Sequence, residues 1–487
     1  MVKRSRDPAA LAATLVGMAV VSPIASVNPA TEEVVATFAP FSDAQVDEAL
    51  AAAQTAFLAW RRTSFAERAR PTRALAAVLR ANAERYARLI TTEMGKPIAE
   101  SRAEIEKCAL TCEFYAENAP RFLADEPAAT NAARSFVAFE PLGLVLAVMP
   151  WNYPFWQVVR FLAPALMAGN GAVLKHASNV PQCALALEEA VAAAGFPRGL
   201  FRTLLLPGSA VERVIADPRI RAVTLTGSSD TGARVAEAAG RALKKAVLEL
   251  GGSDPYIVLA DADLPAAAAT AARARNQNAG QSCIAAKRFL VAAPVAALFE
   301  RLFADAVRAL VVGDPLDPRT QVGPLARADL REALAGQVDR SVALGARIVT
   351  GGRARPGKGW FYEPTILAGV TDAMPVLAEE TFGPVAALRT VRDAEEAVAV
   401  ANASRYGLGG ALWTRDVAAG EALARRIESG AVFVNGMTAS DPRLPFGGVK
   451  HSGYGRELGA FGIREFTNVQ TIWIGPPRTP SKAAPAE

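Results

Sequence analysis

The chain alternates apolar segments with helical ones from residue 142 to 252, and this pattern limits the fold more than any other feature. The apolar segments are LGLVLAVMP, GAVLK, FRTLLLP, RAVTLTG and KAVLELGG. Each gap between them carries a helical pattern of apolar residues. Short apolar runs joined by helices are typical of parallel strands in βαβ units, which are buried on both faces. We therefore predict a parallel sheet covered by helices on both sides.

A second α/β series follows a boundary near residues 251–255. Its strand patterns are PYIVLA, RFLVAA, ARIVTGG, PVAALRTV, GGALWT and GAVFVN. Its predicted helices cover about 263–278, 295–311, 393–403 and 416–428. The sequence therefore predicts an α/β protein with two lobes.

Helices precede the first lobe, and two further strand-like segments lie outside both lobes. Residues 42–119 repeat apolar residues at helical spacing, with a capping-box pattern at Ser42 and Gln45 and a helix stop at Gly95. The segments SFVAFEP, before the first lobe, and FTNVQTIWI, near the C-terminus, have the character of strands. We expect these two segments to pair with each other as outlying strands.

Charge and cysteine content narrow the range of partners. The net charge is +5, from 53 Lys and Arg against 48 Asp and Glu, and no basic block stands out, so we expect neither nucleic acid nor a membrane as partner. Four cysteines are too few for a disulfide framework in 487 residues, which favours a reducing compartment. Residues 1–26 superficially resemble a signal peptide, but we favour an N-terminal extension of a cytoplasmic protein, either an extra strand or a disordered segment, because a reactive thiol suits an oxidising compartment poorly. We expect the tail at 477–487 to be frayed.

We expect no transmembrane helix and no metal site. Outside the N-terminal segment, no run of 18 apolar residues occurs. Cys108 and Cys112 share a helix face, but a metal would need more ligands, and His176 and His451 are far from them in sequence.

Residues with chemical functions follow each predicted strand of the first lobe. In parallel sheets, ligands bind beyond the carboxyl ends of the strands. Gly227 and Ser228 form a strand-to-helix turn whose free N–H groups suit a phosphate, although neither Rossmann nor P-loop glycine spacing is present. With Lys175 at the same edge, a dinucleotide is the expected ligand. The residues at this edge are Pro150, Trp151, Asn152, Lys175, Pro207, Gly208, Gly227, Ser228, Glu249, Leu250, Gly251 and Gly252.

Three residues are candidates for catalysis, and each also has a structural interpretation. Cys283 lies among small residues in NQNAGQSCIAAKRF and is either an inert buried thiol or a nucleophile. Glu249 is either a paired carboxylate or a general base whose pKa is raised by burial. Asn152 is either a turn residue or a donor to an oxyanion. Because neither histidine has a protease context, we favour attack of Cys283 on an aldehyde, hydride loss to a nicotinamide, and hydrolysis of the thioester.

Several segments in sequence order resemble the signature segments of the aldehyde dehydrogenase superfamily. They are PWNYPFW, VLELGGSD, GQSCIAAKR, EETFGPV and PFGGVKHSGYGRE, and the resemblance extends from SVNPATEEVV to EFTNVQTIWI. In detail they look most like NADP-preferring succinate-semialdehyde dehydrogenases of bacteria. The resemblance implies a Rossmann-type dinucleotide-binding domain, an α/β catalytic domain and a small β oligomerisation extension. The implied bounds are 27–122 and 142–251 for the first, 252–450 for the second, and 123–141 and 464–476 for the third.

The resemblance also implies roles for individual residues. Cys283 corresponds to the nucleophile, Glu249 to the base that activates the deacylating water, and Asn152 with the Cys283 backbone N–H to the oxyanion hole. Glu457 corresponds to a glutamate that relays protons in some members. The implied cofactor contacts are Trp151, Lys175, Ser178, Gly208, Gly227, Ser228, Leu250, Glu380 and Phe382.

Departures from the family pattern bear on cofactor and substrate. Ser178 stands where NAD-preferring relatives place a glutamate, and its neutrality favours the 2′-phosphate of NADP, with NAD still possible. Arg160 corresponds to an arginine that holds the substrate carboxylate in related enzymes, although a helix-surface ion pair is the alternative. A second such arginine is Gln277 here, and Arg443 is a candidate to compensate.

The leading hypothesis is NADP-dependent oxidation of succinate semialdehyde to succinate by a homodimer or homotetramer. The alternatives are a broad-specificity aliphatic aldehyde dehydrogenase, a CoA-acylating semialdehyde dehydrogenase and a non-enzymatic binding protein. Glu249 argues against CoA acylation, because only hydrolysis needs a base for water.

Overall fold

The computed structural model describes residues 23–475, so the predicted extension up to residue 22 and the tail at 477–487 lie outside it. The elements before the first lobe are β1 (Ile24–Val27), β2 (Val34–Phe38), α1 (Asp43–Trp60), α2 (Phe65–Ala81), α3 (Ala83–Met94), α4 (Ile98–Phe122), β3 (Glu126–Pro127) and β4 (Arg134–Pro141). Those of the first lobe are β5 (Leu144–Met149), α5 (Trp156–Met167), β6 (Gly171–His176), α6 (Pro181–Ala193), β7 (Phe201–Thr203), α7 (Val211–Ala216), β8 (Ile220–Thr226), α8 (Ser229–Arg241) and β9 (Lys245–Glu249).

The remaining elements form the second lobe and the C-terminal segment. The second lobe contains β10 (Asp254–Val258), α9 (Leu264–Asn276), β11 (Ala286–Ala292), α10 (Ala296–Arg308), α11 (Ala328–Ala343), β12 (Arg347–Thr350), β13 (Thr365–Ala368), α12 (Pro375–Ala378), β14 (Val385–Val391), α13 (Ala394–Asn402), β15 (Tyr406–Gly407), β16 (Ala411–Trp413), α14 (Val417–Ala424) and β17 (Phe433–Val434). The C-terminal segment contains β18 (Val449–Lys450), β19 (Gly453–Tyr454), α15 (Gly459–Glu465) and β20 (Thr467–Ile474).

The first lobe is built on a six-stranded sheet in the order β19-β9-β8-β5-β6-β7. Strands β5 to β9 are parallel, as the apolar runs predict, and all six residues of β5 are buried. The antiparallel edge strand β19 was not predicted, because a two-residue strand has no periodicity to detect. Strand order reverses between β5 and β8, and such a switch point leaves a crevice at the carboxyl ends of the strands.

The second lobe is built on a seven-stranded sheet in the order β12-β13-β14-β11-β10-β16-β17. All of its neighbouring strands run parallel except β12, which is antiparallel to β13. The sequence patterns predict all of these strands except β13. The loop between α9 and β11 carries Cys283 and lies at one end of this sheet.

The helices before the first lobe begin and end at the predicted signals. The Ser42 side chain accepts from the backbone N–H of Gln45 at 3.3 Å, and Gln45 accepts from the Ser42 N–H at 2.8 Å, which completes the capping box. Gly95 ends α3 with φ of 81°, a left-handed conformation that favours glycine. Helix α4 then runs for 25 residues and packs against α2 and α5, which places one of its faces toward the first lobe.

The two outlying strands pair as predicted, and one boundary needs correction. Strand β20 pairs antiparallel with β4 from Thr467 opposite Pro141 to Ile474 opposite Arg134, in the sheet order β20-β4-β3. Of the two structures expected for the N-terminal extension, residues 24–26 adopt the extra strand, so the domain begins at residue 24 and not at residue 27. They lie in β1, which pairs with β2 and buries Ile24 and Ser26. Within residues 23–475, no helix is both long and apolar enough to cross a membrane.

Candidate active site

A cavity of about 180 Å³ lies where α4 and α5 face the Cys283 loop. Cys283 lines it together with Tyr153, which follows β5, and Arg160, which lies on α5. Gln277 and the loop around Thr438 close the opposite side. The cavity therefore lies between α4, α5 and the loop after β5 on one hand and the thiol supplied by the second lobe on the other.

The loop that carries Cys283 has an unusual backbone conformation. Asn278 and Ala279 both have left-handed dihedrals, with φ of 54° and 51°, which side chains other than glycine rarely adopt. The Asn278 side chain holds this conformation, because its Nδ2 donates to the backbone oxygens of Asn152 at 2.8 Å and Gln281 at 3.1 Å. Strain of this kind persists where surrounding contacts impose it, and such sites are often functional.

Close backbone contacts hold Cys283 itself. Lys287 is fully buried and donates from Nζ to the Cys283 carbonyl oxygen at 2.8 Å and to that of Ser282 at 3.0 Å. A Cβ atom at Gly252 would lie 2.5 Å from the Cys283 oxygen, so this approach requires glycine. Among the described residues, no acceptor receives the Cys283 backbone N–H.

Burial dominates the acidity of the Cys283 thiol. It raises the pKa of the half-buried thiol to about 12, and the cations of Arg160 and Lys287 offset only part of this effect. The thiol is therefore protonated at neutral pH and needs a base before it can act as a nucleophile.

Asn152 lies directly beside the Cys283 loop. Its side chain is 3 % exposed, and its Nδ2 donates to the Gln281 oxygen at 3.2 Å. This contact directs the amide group toward the segment two residues before the thiol. The structure therefore brings Asn152 and Cys283 together at the carboxyl end of β5.

Glu249 ends β9 and is buried without a hydrogen-bond partner. Neither carboxylate oxygen has a partner among the described residues, and the side chain needs the space left by Gly447, where a Cβ would lie 2.8 Å from Oε1. Burial raises the pKa of Glu249 well above its usual value; Arg160 opposes this effect, and the charge of Glu457 adds to it. A buried carboxyl group of this kind is suited to general-base catalysis.

Arg160 and Glu457 form a buried ion pair, and both side chains are only 2 % exposed. Arg160 also donates from Nη2 to Thr226 Oγ1 at 3.2 Å and lies over the Phe446 ring, 4.7 Å from its centroid. Arg160 also lines the cavity, so the substrate contact stays a prediction. The alternative that the sequence offered, an ion pair, is present, but it is buried and does not lie on a helix surface.

The predicted cofactor residues lie along the carboxyl edge of the first sheet. Ser228 caps α8, where its Oγ accepts from the Thr231 N–H at 3.3 Å. Lys175, at the end of β6, is partly buried and has no carboxylate partner within residues 23–475; burial lowers the pKa of its ammonium group. Ser178 is exposed three residues further along. A Cβ at Gly208 would meet no atom within 4 Å, so open space lies over this turn.

Two predicted cofactor contacts from the second lobe reach the same edge. Glu380 Oε1 accepts from the Gly252 N–H at 3.0 Å and lies 3.5 Å from Lys287 Nζ. Phe382 packs edge-on against Trp151, with ring centroids 5.7 Å apart. Leu250 packs on Gly232, where a Cβ would lie 2.5 Å from its Cδ2.

Not every predicted site residue reaches the cavity. Gln277 lines it, but Arg443 does not, because its exposed side chain pairs with Asp441 at 2.6 Å. His176 is buried between the backbone oxygens of Met149 and Pro154, and burial lowers its pKa to about 4. Neither histidine lines the Cys283 cavity, so a cysteine–histidine pair is absent from this part of the described chain.

Sequence reasoning missed three functional candidates. Lys107 and Glu100 line the cavity from α4, and Lys287 holds the Cys283 loop. Burial raises the pKa of Glu100 to about 7. The spacing of 100, 104 and 107 along one helix face was the available signal, but only the packing of α4 shows that this face lines a cavity.

Comparisons with known proteins agree on one family. Residues 19–472 match the model of the aldehyde dehydrogenase family. The chain is 53 % identical over 457 residues to a succinate-semialdehyde dehydrogenase [NADP(+)] of Mycobacterium avium, with 93 % of this chain and 97 % of that protein covered. It is 52 % identical over 451 residues to a probable succinate-semialdehyde dehydrogenase [NADP(+)] of Synechocystis, with 93 % and 99 % covered.

Solved structures show the same architecture. The crystal structure of succinic semialdehyde dehydrogenase from Streptococcus pyogenes, in complex with NADP+, superimposes with a TM-score of 0.91 at 39 % identity. The match covers 93 % of this chain and all of that one. An NAD-dependent aldehyde dehydrogenase from Sinorhizobium meliloti also matches with a TM-score of 0.91, at 36 % identity, covering 95 % of this chain and 93 % of that one.

Proposed function

The chain belongs to the aldehyde dehydrogenase family and is an oxidoreductase that acts on aldehydes, and we propose that it oxidises succinate semialdehyde to succinate with NADP. The observation that carries the proposal is the cavity beside Cys283, which is lined by Lys107 and Arg160, together with the buried, unpartnered carboxyl group of Glu249 at the end of β9. The Lys107 cation, which has no carboxylate partner within residues 23–475, favours an anionic aldehyde over a simple aliphatic one in this cavity. The relatives from Mycobacterium avium and Synechocystis support the same substrate.

The first half of the reaction depends on the Cys283 loop. Glu249 has two unpartnered oxygens at the site and accepts the thiol proton. The Cys283 sulfur then attacks the aldehyde carbon and forms a thiohemiacetal. The oxyanion that develops lies between the Asn152 side-chain amide and the Cys283 backbone N–H, and preorganised donors of this kind stabilise such charge. NADP, when bound, supplies the hydride acceptor for the oxidation.

The second half depends on Glu249. The oxidised intermediate is a thioester on Cys283, and water must attack its carbonyl carbon. A carboxyl group with a raised pKa is an effective base near neutral pH, so Glu249 removes the proton from this water. The thioester bond then breaks and releases the carboxylic acid and the Cys283 thiol. We assign to Glu457 the passage of the proton away from Glu249, because it is the neighbouring carboxyl group.

The first-lobe edge fits a dinucleotide with a 2′-phosphate. Lys175 has no carboxylate partner within the described chain and is free to bind an anion, and exposed Ser178 adds a neutral donor. Open space over Gly208 and the α8 N-terminus at Gly227 and Ser228 suit the remaining phosphates. We therefore assign Trp151, Leu250, Glu380 and Phe382 to the cofactor as well, with the nicotinamide ribose held by Glu380.

We extend the proposal to domain roles and assembly. The first lobe, with 27–122 and 142–251, binds the cofactor, and the second, 252–450, supplies the nucleophile. The chain forms homodimers or homotetramers through the β20-β4-β3 sheet, because β20 is an edge strand that exposes Val469, Trp473 and Ile474. The enzyme works in the cytoplasm, where the Cys283 thiol stays reduced.

One kinetic comparison tests the proposed function. The kcat/KM value is measured for succinate semialdehyde, glutarate semialdehyde and butanal, each with NADP and with NAD. We expect succinate semialdehyde with NADP to give the highest value by at least about 10-fold. Equal values for all aldehydes would indicate a broad-specificity enzyme, and a rate that depends on CoA would indicate acyl transfer.

A further inference from the structure

The two cations that line the Cys283 cavity differ in their ionic partners. The Arg160 guanidinium is paired with the Glu457 carboxylate, and both groups are buried. Because the Glu457 carboxylate neutralises the guanidinium, Arg160 adds little net charge to attract an anionic ligand. Capture of an anionic substrate by Arg160 alone would require competition with Glu457, which burial makes costly.

Lys107 has no such partner. Its Nζ donates to Ser440 Oγ at 2.7 Å and lies 4.2 Å from the centroid of the Trp156 ring. Within residues 23–475, no carboxylate oxygen lies within ion-pair distance of this ammonium group. Both contacts hold a lysine at a defined position and leave its charge unneutralised.

The nearby carboxylates are occupied by other groups. Glu104 pairs with buried Lys96 and accepts the backbone N–H groups at the start of α5. Asp441 pairs with Arg443 at 2.6 Å. Glu100 lines the cavity one helical turn before Glu104, and its Oε2 accepts the Asn278 N–H at 2.8 Å. None of these groups neutralises Lys107 directly.

The position of Lys107 suits the end of a substrate opposite the aldehyde. Cys283, Arg160 and Lys107 line one cavity, with Cys283 on the loop after α9 and Lys107 on α4. A short aldehyde bonded to Cys283 would therefore extend into the cavity that contains the Lys107 ammonium group.

We propose that Lys107 is the specificity-determining residue that binds the distal carboxylate of a semialdehyde whose carbonyl carbon is at Cys283. This inference rests on the proposed function. It also explains how a neutral Gln277 is compatible with an anionic substrate, because the charge comes from α4 and not from the segment before Cys283. A charge-assisted hydrogen bond of this kind corresponds to about a 10- to 100-fold effect on binding.

The test compares Lys107→Met with Lys107→Arg, and Lys358→Met, at an exposed position outside the cavity, is the matched control. We measure kcat and KM with NADP for succinate semialdehyde and for uncharged butanal. Lys107→Met is expected to lower kcat/KM for succinate semialdehyde about 10- to 100-fold, mainly through KM. It should change the value for butanal less than about 3-fold, and Lys107→Arg should retain most of the discrimination. The control should behave as the wild type.

A binding measurement provides a second readout that does not depend on turnover. In a Cys283→Ala background, calorimetry should show binding of succinate semialdehyde that weakens about 10-fold or more when Lys107→Met is added. Equal losses of kcat/KM for both aldehydes in Lys107→Met would overturn the inference about Lys107 and leave the proposed function intact. Unchanged binding of succinate semialdehyde when Lys107→Met is added to Cys283→Ala would do the same. If the wild type itself shows no preference for succinate semialdehyde, the proposed function fails, and the inference fails with it.

Discussion

The buried pair of Arg160 and Glu457 makes a quantitative prediction about stability. Both side chains are 2 % exposed, so Glu457→Gln leaves a guanidinium in the interior without a counter-charge. Loss of one partner of a buried pair costs about 3–5 kcal/mol, and we expect the lower end because the glutamine oxygen can still accept from Thr224. In a chain of 487 residues, whose unfolding entropy is about 1 kcal/mol per degree, that corresponds to a fall in Tm of about 3–4 °C. Glu421→Gln breaks an exposed pair with Arg425 and should change Tm by less than about 1 °C.

Thermal unfolding of Glu457→Gln and Glu421→Gln tests this prediction. Equal changes in Tm for the two variants would refute the claim that burial makes the Arg160–Glu457 pair important for stability. A double variant, Arg160→Met with Glu457→Met, should lose less stability than the sum of the losses of the two single variants.

The Glu457→Gln substitution also has a kinetic consequence. The charge of Glu457 helps to raise the pKa of Glu249, so Glu457→Gln lowers that pKa. In the pH–rate profile, the rise in rate that accompanies deprotonation of Glu249 should therefore move to lower pH. If this rise stays at the same pH in Glu457→Gln, the coupling between the two carboxyl groups is contradicted.

Three further predictions concern the cofactor, the substrate and the assembly. Ser178→Glu places a carboxylate near the 2′-phosphate and should reduce the NADP/NAD ratio of kcat/KM by about 10-fold, whereas equal loss with both cofactors would argue against this contact. Burial lowers the pKa of Lys107 to about 8, so the ratio of kcat/KM for succinate semialdehyde to that for butanal should fall above pH 8 as the cation is lost. In Lys107→Arg the cation does not lose its proton, so the fall in this ratio above pH 8 should disappear. A decrease of the ratio near pH 7 that is caused by ionisation of Glu100 should remain in that variant. Trp473→Glu should reduce the molar mass in solution, measured by light scattering, if β20 joins the subunits.

The sequence predicts the parts of this fold that are continuous and buried. Strand β5 consists only of buried apolar residues, so its pattern is unambiguous. Strand β19 has only two residues, which is too short for a detectable pattern, and its partner β9 lies far from it in the sequence. For β1 the sequence left an extra strand and a disordered segment as alternatives, because only the contact with β2 distinguishes them.

The residues of the candidate site also divide into those that the sequence predicts and those that only the folded chain shows. Glu249 and Asn152 lie at the ends of β9 and β5, where the rule that ligands bind at the carboxyl ends of strands predicts them. Cys283 follows α9 and was identified by the small residues around it. Lys107 lies inside α4, and nothing in a helical pattern distinguishes a cavity face from a packed one. The ion pair of Arg160 could not be predicted, because Glu457 becomes its neighbour only in the folded chain.

The central claim is that Cys283 carries the acyl group and that Glu249 activates the water that removes it. Glu249→Gln is mixed with NADP and succinate semialdehyde, NADPH is followed in a stopped-flow instrument, and the quenched protein is analysed by peptide mass spectrometry. We expect both the first turnover and the steady turnover to be at least about 100-fold slower than in the wild type, because Glu249 removes the proton from the thiol and from the water, and we expect any acyl group to be a succinyl group on the Cys283 peptide. Turnover at the wild-type rate, or an acyl group on any residue other than Cys283, would contradict the central claim.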